Sequence, residues 1–145
     1  RGWMADSVIA ELRATGIGDR LRLLDYVPDD VLPALYAGAA LFVQASLLEG
    51  FGLPVVEAMA AGTPVICADT PALREIADDA AVFFRPDEQQ SLAHQLGHVL
   101  TNAALRQELR ARGLRRAAGF TWQRAAEETL RVLREAIAPA GTRIA

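Results

Sequence analysis

The fold is decided by residues 40–68, ALFVQASLLEGFGLPVVEAMAAGTPVICA. This stretch begins with a short apolar strand over 40–44 and ends with a second one over 64–68. Between them, Pro54 suits the first turn of a helix, and Gly62 is a typical helix stop. A strand, a helix and a strand in this order predict a parallel βαβ unit, because parallel strands can be joined only by a crossover connection.

The same alternation continues on both sides of this unit. A helix over 3–15, a strand over 21–27 and a short helix with the apolar residues Leu32, Leu35 and Tyr36 precede it. A helix that begins near Pro71, a strand over 80–84 and three further helices follow it. Thr70 and Thr121 are predicted caps of the helices that they precede. The pattern predicts an α/β fold, a Rossmann-like parallel sheet with helices on both faces.

Composition restricts the class of protein. The chain has 145 residues, of which 52% are hydrophobic and 23% charged, and this balance excludes a disordered chain. The net charge of -3 argues against nucleic acid as a partner. The one cysteine, Cys67, cannot form an intramolecular disulfide and indicates a reducing compartment.

The loop after Gln44 carries the chemistry, since ligands of parallel sheets bind where strands end. Gly50 and Gly52 permit positive φ and let a ligand approach the backbone. The free N–H groups of the following helix attract an anion such as phosphate. Glu49 and Glu57 flank this site and suit sugar hydroxyls, so the loop is typical of a nucleotide-sugar site. The alternative is that these acids only stabilise the helix dipole.

Five segments resemble the signature of the retaining GT-B glycosyltransferases of family 4, the glycosyl transferases group 1. They lie at residues 49–54, 57–60, 62–65, 75–81 and 119–122. Glu49 and Glu57 stand where that family has its E-x7-E pair. The resemblance covers nearly the whole chain, and among subgroups it is greatest to bacterial mannosyltransferases of polysaccharide assembly.

The resemblance implies that the chain is the donor-binding, C-terminal half of a GT-B enzyme. Such an enzyme transfers a mannose- or glucose-type hexose from a nucleotide-sugar to a glycan or lipid-linked acceptor. Glu49 would be the catalytic residue that positions the hexose, and Glu57 would bind the ribose. The implied donor-binding residues are Gly50, Phe51, Gly52, Leu53, Pro54 and Glu57. No metal ion and no other cofactor is expected.

The resemblance also implies an organisation of the chain. Residues 1–120 would be a nucleotide-sugar-binding domain that lacks its first two strands, 121–138 the last GT-B helix, and 139–145 a tail. The acceptor would bind to an N-terminal domain outside this chain, so the chain alone should be inactive. The implied location is the cytoplasm, at the inner face of the membrane. Asp25 departs from the family pattern, which leaves the base preference open.

Other residues have competing interpretations. His94 and His98, four apart on a predicted helix, are a metal pair or, preferably, a solvated pair. Cys67 is a nucleophile or, preferably, a packed thiol. Glu75 matches a family acid or stabilises the first turn of a helix. Five arginines contact anionic lipid or form a solvated helix face, namely Arg106, Arg110, Arg112, Arg115 and Arg116.

Two other kinds of protein remain open at this point. One is a stand-alone nucleotide-binding module that uses the same loop without catalysis. The other is a nucleotide-sugar epimerase of similar architecture, which is disfavoured because such enzymes lack the E-G-F-G-L-P loop at residues 49–54.

Overall fold

The structure, a computed structural model, describes residues 5–137. The chain divides into two compact units, Arg1–Leu32 and Pro33–Ala145. The first contains helix α1, Ala5–Ala14, and a single 3-10 turn at Gly18–Arg20. The predicted tail at 139–145 lies outside the described residues, and the predicted domain division at residue 120 stays a prediction.

The predicted strand over 21–27 is wrong. No residue of this segment is in a strand, and Leu23, Leu24 and Tyr26 are all exposed. A run of apolar residues favours a strand, but a strand forms only where a neighbour accepts and donates its backbone hydrogen bonds. No strand among residues 5–137 pairs with this segment. The sequence pattern implied that the loop after Val27 follows a strand. Because no strand forms over 21–27, that implication is also wrong.

Helices and strands alternate as far as β3, and three helices follow. The elements are α2 (Leu32–Gly38), β1 (Phe42–Gln44), α3 (Leu53–Ala60), β2 (Val65–Ala68), α4 (Pro71–Ala77), a 3-10 turn (Asp78–Ala80), β3 (Ala81–Phe84), α5 (Ser91–Thr101), α6 (Ala103–Ala117) and α7 (Trp122–Ile137). The strands form a parallel sheet in the order β1-β2-β3. This arrangement confirms the predicted α/β class with a parallel sheet.

The register of the sheet brings the carboxyl ends of its strands to one edge. Gln44, the last residue of β1, lies beside Cys67 of β2, and Ala68 lies beside Phe84 at the end of β3. The loops that follow β1 and β2 therefore start from the same edge. This is where open parallel sheets bind ligands.

The core lies around β2 and α3. All four residues of β2 are buried, as are Val55, Ala58 and Met59 of α3. Helix α6 approaches α3 closely at Gly113, where an added Cβ would lie 3.2 Å from Cγ of Met59. A glycine at this position lets the two helices meet, with Met59 filling the space between them.

Four of the five arginines predicted as a lipid-binding or solvated face have intramolecular acceptors. Each donates to a backbone carbonyl: Arg106 to Val99 (2.9 Å), Arg110 to Gly62 (3.2 Å), Arg112 to Asp79 (3.0 Å) and Arg116 to Ile76 (2.8 Å). Cations next to the terminal carbonyls of a helix are stabilising. The arginines of α6 therefore fasten this helix to the ends of neighbouring elements. Every helix within residues 5–137 is too short or too polar to cross a lipid bilayer.

Replacement of Met59 by Ala should lower the free energy of unfolding by about 2–5 kcal/mol, because it leaves a cavity between α3 and α6. Urea unfolding followed by circular dichroism measures this loss. Leu114→Ala on α6 is the matched control, because Leu114 is 42% exposed and its loss should cost much less. Equal losses in the two variants would contradict this account of the core.

The preferred interpretation of Cys67, a packed thiol, generates a second prediction. The side chain is fully buried in β2, and burial raises the pKa of the Cys67 thiol to about 12. At about pH 8 only roughly one thiol in ten thousand is then the reactive thiolate. A disulfide reagent such as Ellman's should leave the folded chain unmodified and modify it at once in guanidinium chloride. Rapid modification of the folded chain would show an accessible nucleophile instead.

Candidate functional site

Gln44 organises the start of the loop that follows β1. Its side-chain amide donates to Oγ of Ser46 at 2.8 Å and also to a carboxylate oxygen of Glu49. An amide nitrogen has two hydrogens, so one side chain serves both acceptors. Glu49 is half-buried and its carboxylate is held toward the sheet edge. A polar residue that ends an apolar strand was the available signal for Gln44, which the sequence analysis missed.

Gly52 makes the turn from the loop into α3. It has φ +101° and ψ 40°, a left-handed conformation, and precedes Leu53 and Pro54 at the start of the helix. A Cβ on Gly52 would also lie 3.1 Å from a side-chain carbon of Leu73. Gly50, which also permits positive φ, does not adopt it.

The backbone of residues 50–53 presents free donors. Their N–H groups have no hydrogen-bond acceptor in the part of the chain that the structure describes. The first N–H groups of a helix have no partner within the helix, and the helix dipole makes them attract anions. The turn into α3 therefore offers several donors and a partial positive charge to an anionic ligand.

Glu57 lies one turn into α3 and is exposed. One of its carboxylate oxygens accepts a hydrogen bond from the Tyr36 hydroxyl at 3.2 Å. The other oxygen keeps its capacity to accept hydroxyl groups of a ligand. Glu49 and Glu57 are thus each oriented by a neutral donor from another element, β1 for the first and α2 for the second.

Tyr36 is itself held in place by two contacts. The Thr63 hydroxyl donates to the Tyr36 backbone carbonyl at 2.7 Å, and the Phe42 ring meets the Tyr36 ring edge-on with centroids 5.4 Å apart. Burial, and then the charge and hydrogen bond of Glu57, raise the pKa of the Tyr36 hydroxyl. Sequence reasoning treated Tyr36 as part of an apolar helix stripe, because no local pattern reveals its contact with Glu57.

The loop after β2 borders the same edge. Asp69 pairs with Arg74, and the hydrogen bond from Arg74 lowers the pKa of the Asp69 carboxyl. Thr70 precedes α4 at the expected position, but its hydroxyl makes no capping bond. Its Oγ1 is buried and has no hydrogen-bond partner among the described residues.

The remaining candidates have no described contact with this loop. His94 and His98 are exposed on α5, and residues 5–137 contain no group of three or more His, Cys, Asp or Glu side chains placed to hold a metal ion. Glu75 is the fifth residue of α4 and not in its first turn, so its expected role at the helix dipole is wrong.

The contact between Tyr36 and Glu57 can be measured by titration. The chain has two tyrosines, so Tyr26→Phe leaves Tyr36 as the only one. Its tyrosinate absorbance should appear at a pH midpoint above the ordinary value of about 10, because burial and then Glu57 favour the neutral phenol. Adding Glu57→Gln should lower the midpoint toward 10. Glu127→Gln, an exposed acid on α7, is the control, and equal midpoints in all three proteins would exclude the contact.

The sequence matches the family described as Glycosyl transferases group 1 over residues 2–116. It is 38% identical over 131 residues to O-antigen chain mannosyltransferase B of Escherichia coli, covering 90% of this chain and 34% of that protein. The chain therefore spans about a third of the length of this relative.

The fold is shared with solved structures. Sucrose-phosphate synthase from Thermosynechococcus elongatus superimposes with a TM-score of 0.80 at 26% identity, over 90% of this chain and 33% of that one. The C-terminal domain of a glycosyl transferase group 1 family protein from Francisella tularensis superimposes with a TM-score of 0.68 at 25% identity, over 79% of this chain and 60% of that one. Sequence and fold agree: the chain belongs to the glycosyl transferases group 1 family, with a Rossmann-like α/β fold of the GT-B type.

Proposed function

We propose that this chain supplies the nucleotide-sugar donor site of a retaining hexosyltransferase. The observation that carries the proposal is the row of free N–H groups at residues 50–53, between two carboxylates that neighbouring side chains orient. An anion at the turn into α3, with hydroxyl groups on either side, matches a nucleoside diphosphate joined to a sugar.

The roles of the residues follow from their positions. Glu57 accepts hydrogen bonds from the ribose hydroxyls through the oxygen that Tyr36 does not use. Glu49 is the catalytic residue that positions the hexose through its hydroxyl groups. The N–H groups of Gly50, Phe51 and Gly52 meet the sugar, and the backbone near Leu53 and Pro54 meets the diphosphate.

The geometry suits the departure of a nucleoside diphosphate. When the bond to the sugar breaks, negative charge grows on the diphosphate oxygens, and donors already aimed at those oxygens stabilise the transition state. The left-handed conformation of Gly52 sets these donors before any ligand binds, so little reorganisation is needed. The proposal requires no metal ion and no other cofactor.

The transferred sugar and its acceptor are inferred from the name of a relative. The Escherichia coli relative is a mannosyltransferase of O-antigen chains, which supports mannose as the sugar within the proposed class of mannose- and glucose-type hexoses. It also supports a glycan or a lipid-linked acceptor, which would place the reaction in the cytoplasm at the inner face of the membrane. We propose no nucleic acid partner. Residues 1–120 would form the donor-binding part and the last helix, over 121–138, would complete it.

Calorimetric titration with GDP, UDP and the corresponding hexose derivatives tests the donor site. Glu57→Gln should weaken binding of the nucleoside diphosphate by roughly 10- to 100-fold, because hydrogen bonds to a charged group are lost. Glu49→Gln should leave this affinity within about twofold and remove the extra affinity that the hexose contributes. Glu127→Gln, an exposed acid on α7, should change neither.

The outcomes separate the candidate functions. Unchanged affinity in Glu57→Gln would remove the role assigned to that residue. Nucleotide binding that is indifferent to the hexose and to Glu49, with no sugar transfer by the full-length protein, would favour the non-catalytic binding module.

A further inference from the structure

The loop that follows β1 is held by a second side-chain contact, which joins Phe51 to Phe120. The Phe51 ring meets the Phe120 ring edge-on, with centroids 5.9 Å apart and planes at 89°. Aromatic rings prefer this edge-to-face arrangement, because the positive edge of one ring faces the negative face of the other. Phe51 is 44% exposed, so much of its side chain is open to solvent, and Phe120 is the aromatic ring that contacts it.

Phe120 has a well-defined place at the junction of α6 and α7. Its N–H donates to the Ala117 carbonyl at 3.0 Å, and the Arg116 guanidinium lies 5.0 Å from the centre of its ring. The same guanidinium donates to the carbonyls of Glu75 and Ile76 in α4, at 2.6 and 2.8 Å. The Phe120 ring is therefore fixed through Arg116 to the helix that underlies Gly52.

The loop backbone depends on such side-chain anchors. The N–H groups of residues 50–53 have no acceptor among the described residues. The main chain fixes only the end of this segment, where Gly52 has φ +101° and its carbonyl accepts from the N–H of Val55 at 3.0 Å. Gln44 holds the loop at Glu49, and Phe120 holds it at Phe51. A cavity of about 320 Å³ adjoins the two rings and is also lined by Arg124 and Glu128, so Phe51 has space to leave its position when Phe120 is truncated.

We propose that Phe120 is a positioning residue for the donor site, and that it acts by holding Phe51 so that the N–H groups of residues 50–53 point at the ligand. The inference rests on the proposed function for its ligand, but the order of the loop can be measured without one. With Phe120 included, the site reaches the turn between α6 and α7. None of the roles proposed above places a residue of that turn in contact with the nucleotide-sugar.

The first experiment measures loop order in the 15N-labelled chain by amide relaxation. Residues 50–53 should have order parameters near 0.85 in the parent and below about 0.6 in Phe120→Ala. Phe120→Tyr should retain the order of the parent, because it keeps the aromatic ring, whereas Phe120→Leu, which keeps most of the volume, should not. Trp122→Ala is the control, since Trp122 is 86% exposed on the same segment. An ordered loop in folded Phe120→Ala and Phe120→Leu, or a loop already mobile in the parent, would overturn the proposal.

The second experiment is a double-mutant cycle on nucleoside diphosphate binding. Phe51→Leu and Phe120→Leu should each weaken binding by about 2- to 12-fold, the range expected for one aromatic pair. The double variant should have about the same affinity as whichever single variant binds less tightly, because the two changes remove one contact. Multiplying effects would show that Phe120 acts independently of Phe51 and would overturn the proposal. If the parent binds no nucleoside diphosphate, the proposed function fails, while the amide measurement still decides the role of Phe120.

Discussion

The candidate site depends on one backbone constraint, the left-handed conformation of Gly52 over the side chain of Leu73. A φ of +101° turns the chain from the loop into α3 without using the N–H groups of residues 50–53 in hydrogen bonds. Any residue with a Cβ would be strained by that φ and would press on Leu73 at 3.1 Å. The loop would then have to move away from α4, and the N–H groups of residues 50–53 would move with it.

Two carboxylates next to an anion site would ordinarily weaken it by repulsion. Here each carboxylate is fixed by a neutral donor on a neighbouring element, Gln44 for Glu49 and Tyr36 for Glu57. A fixed carboxylate can face hydroxyl groups and leave the anion to the backbone N–H groups. In the function proposed above, the pair would contribute selectivity for a ligand that carries both phosphate and hydroxyl groups.

Helix α6 connects several elements of the second unit through its arginine side chains. All 15 basic residues of the chain are arginines. The planar fork of arginine can donate to two carbonyls at once, as Arg116 does with Glu75 and Ile76. Lysine offers a point charge with no such geometry. The arginines of this helix thus connect elements of the fold. Arg116 also contacts the Phe120 ring, and that ring contacts Phe51 in the loop with the free N–H groups.

Local patterns in the sequence determined the βαβ unit over 40–68, the turn at Gly52 and the glutamate pair, because periodicity, glycine and proline act over a few residues. The strand over 21–27 could not be predicted correctly, since a strand depends on a partner elsewhere in the chain. The contacts of Tyr36 with Glu57 and of Phe51 with Phe120 were likewise decided only by tertiary structure. They join residues far apart in the chain, and their side chains meet because the sheet and α6 bring α2, the loop and the α6–α7 turn together.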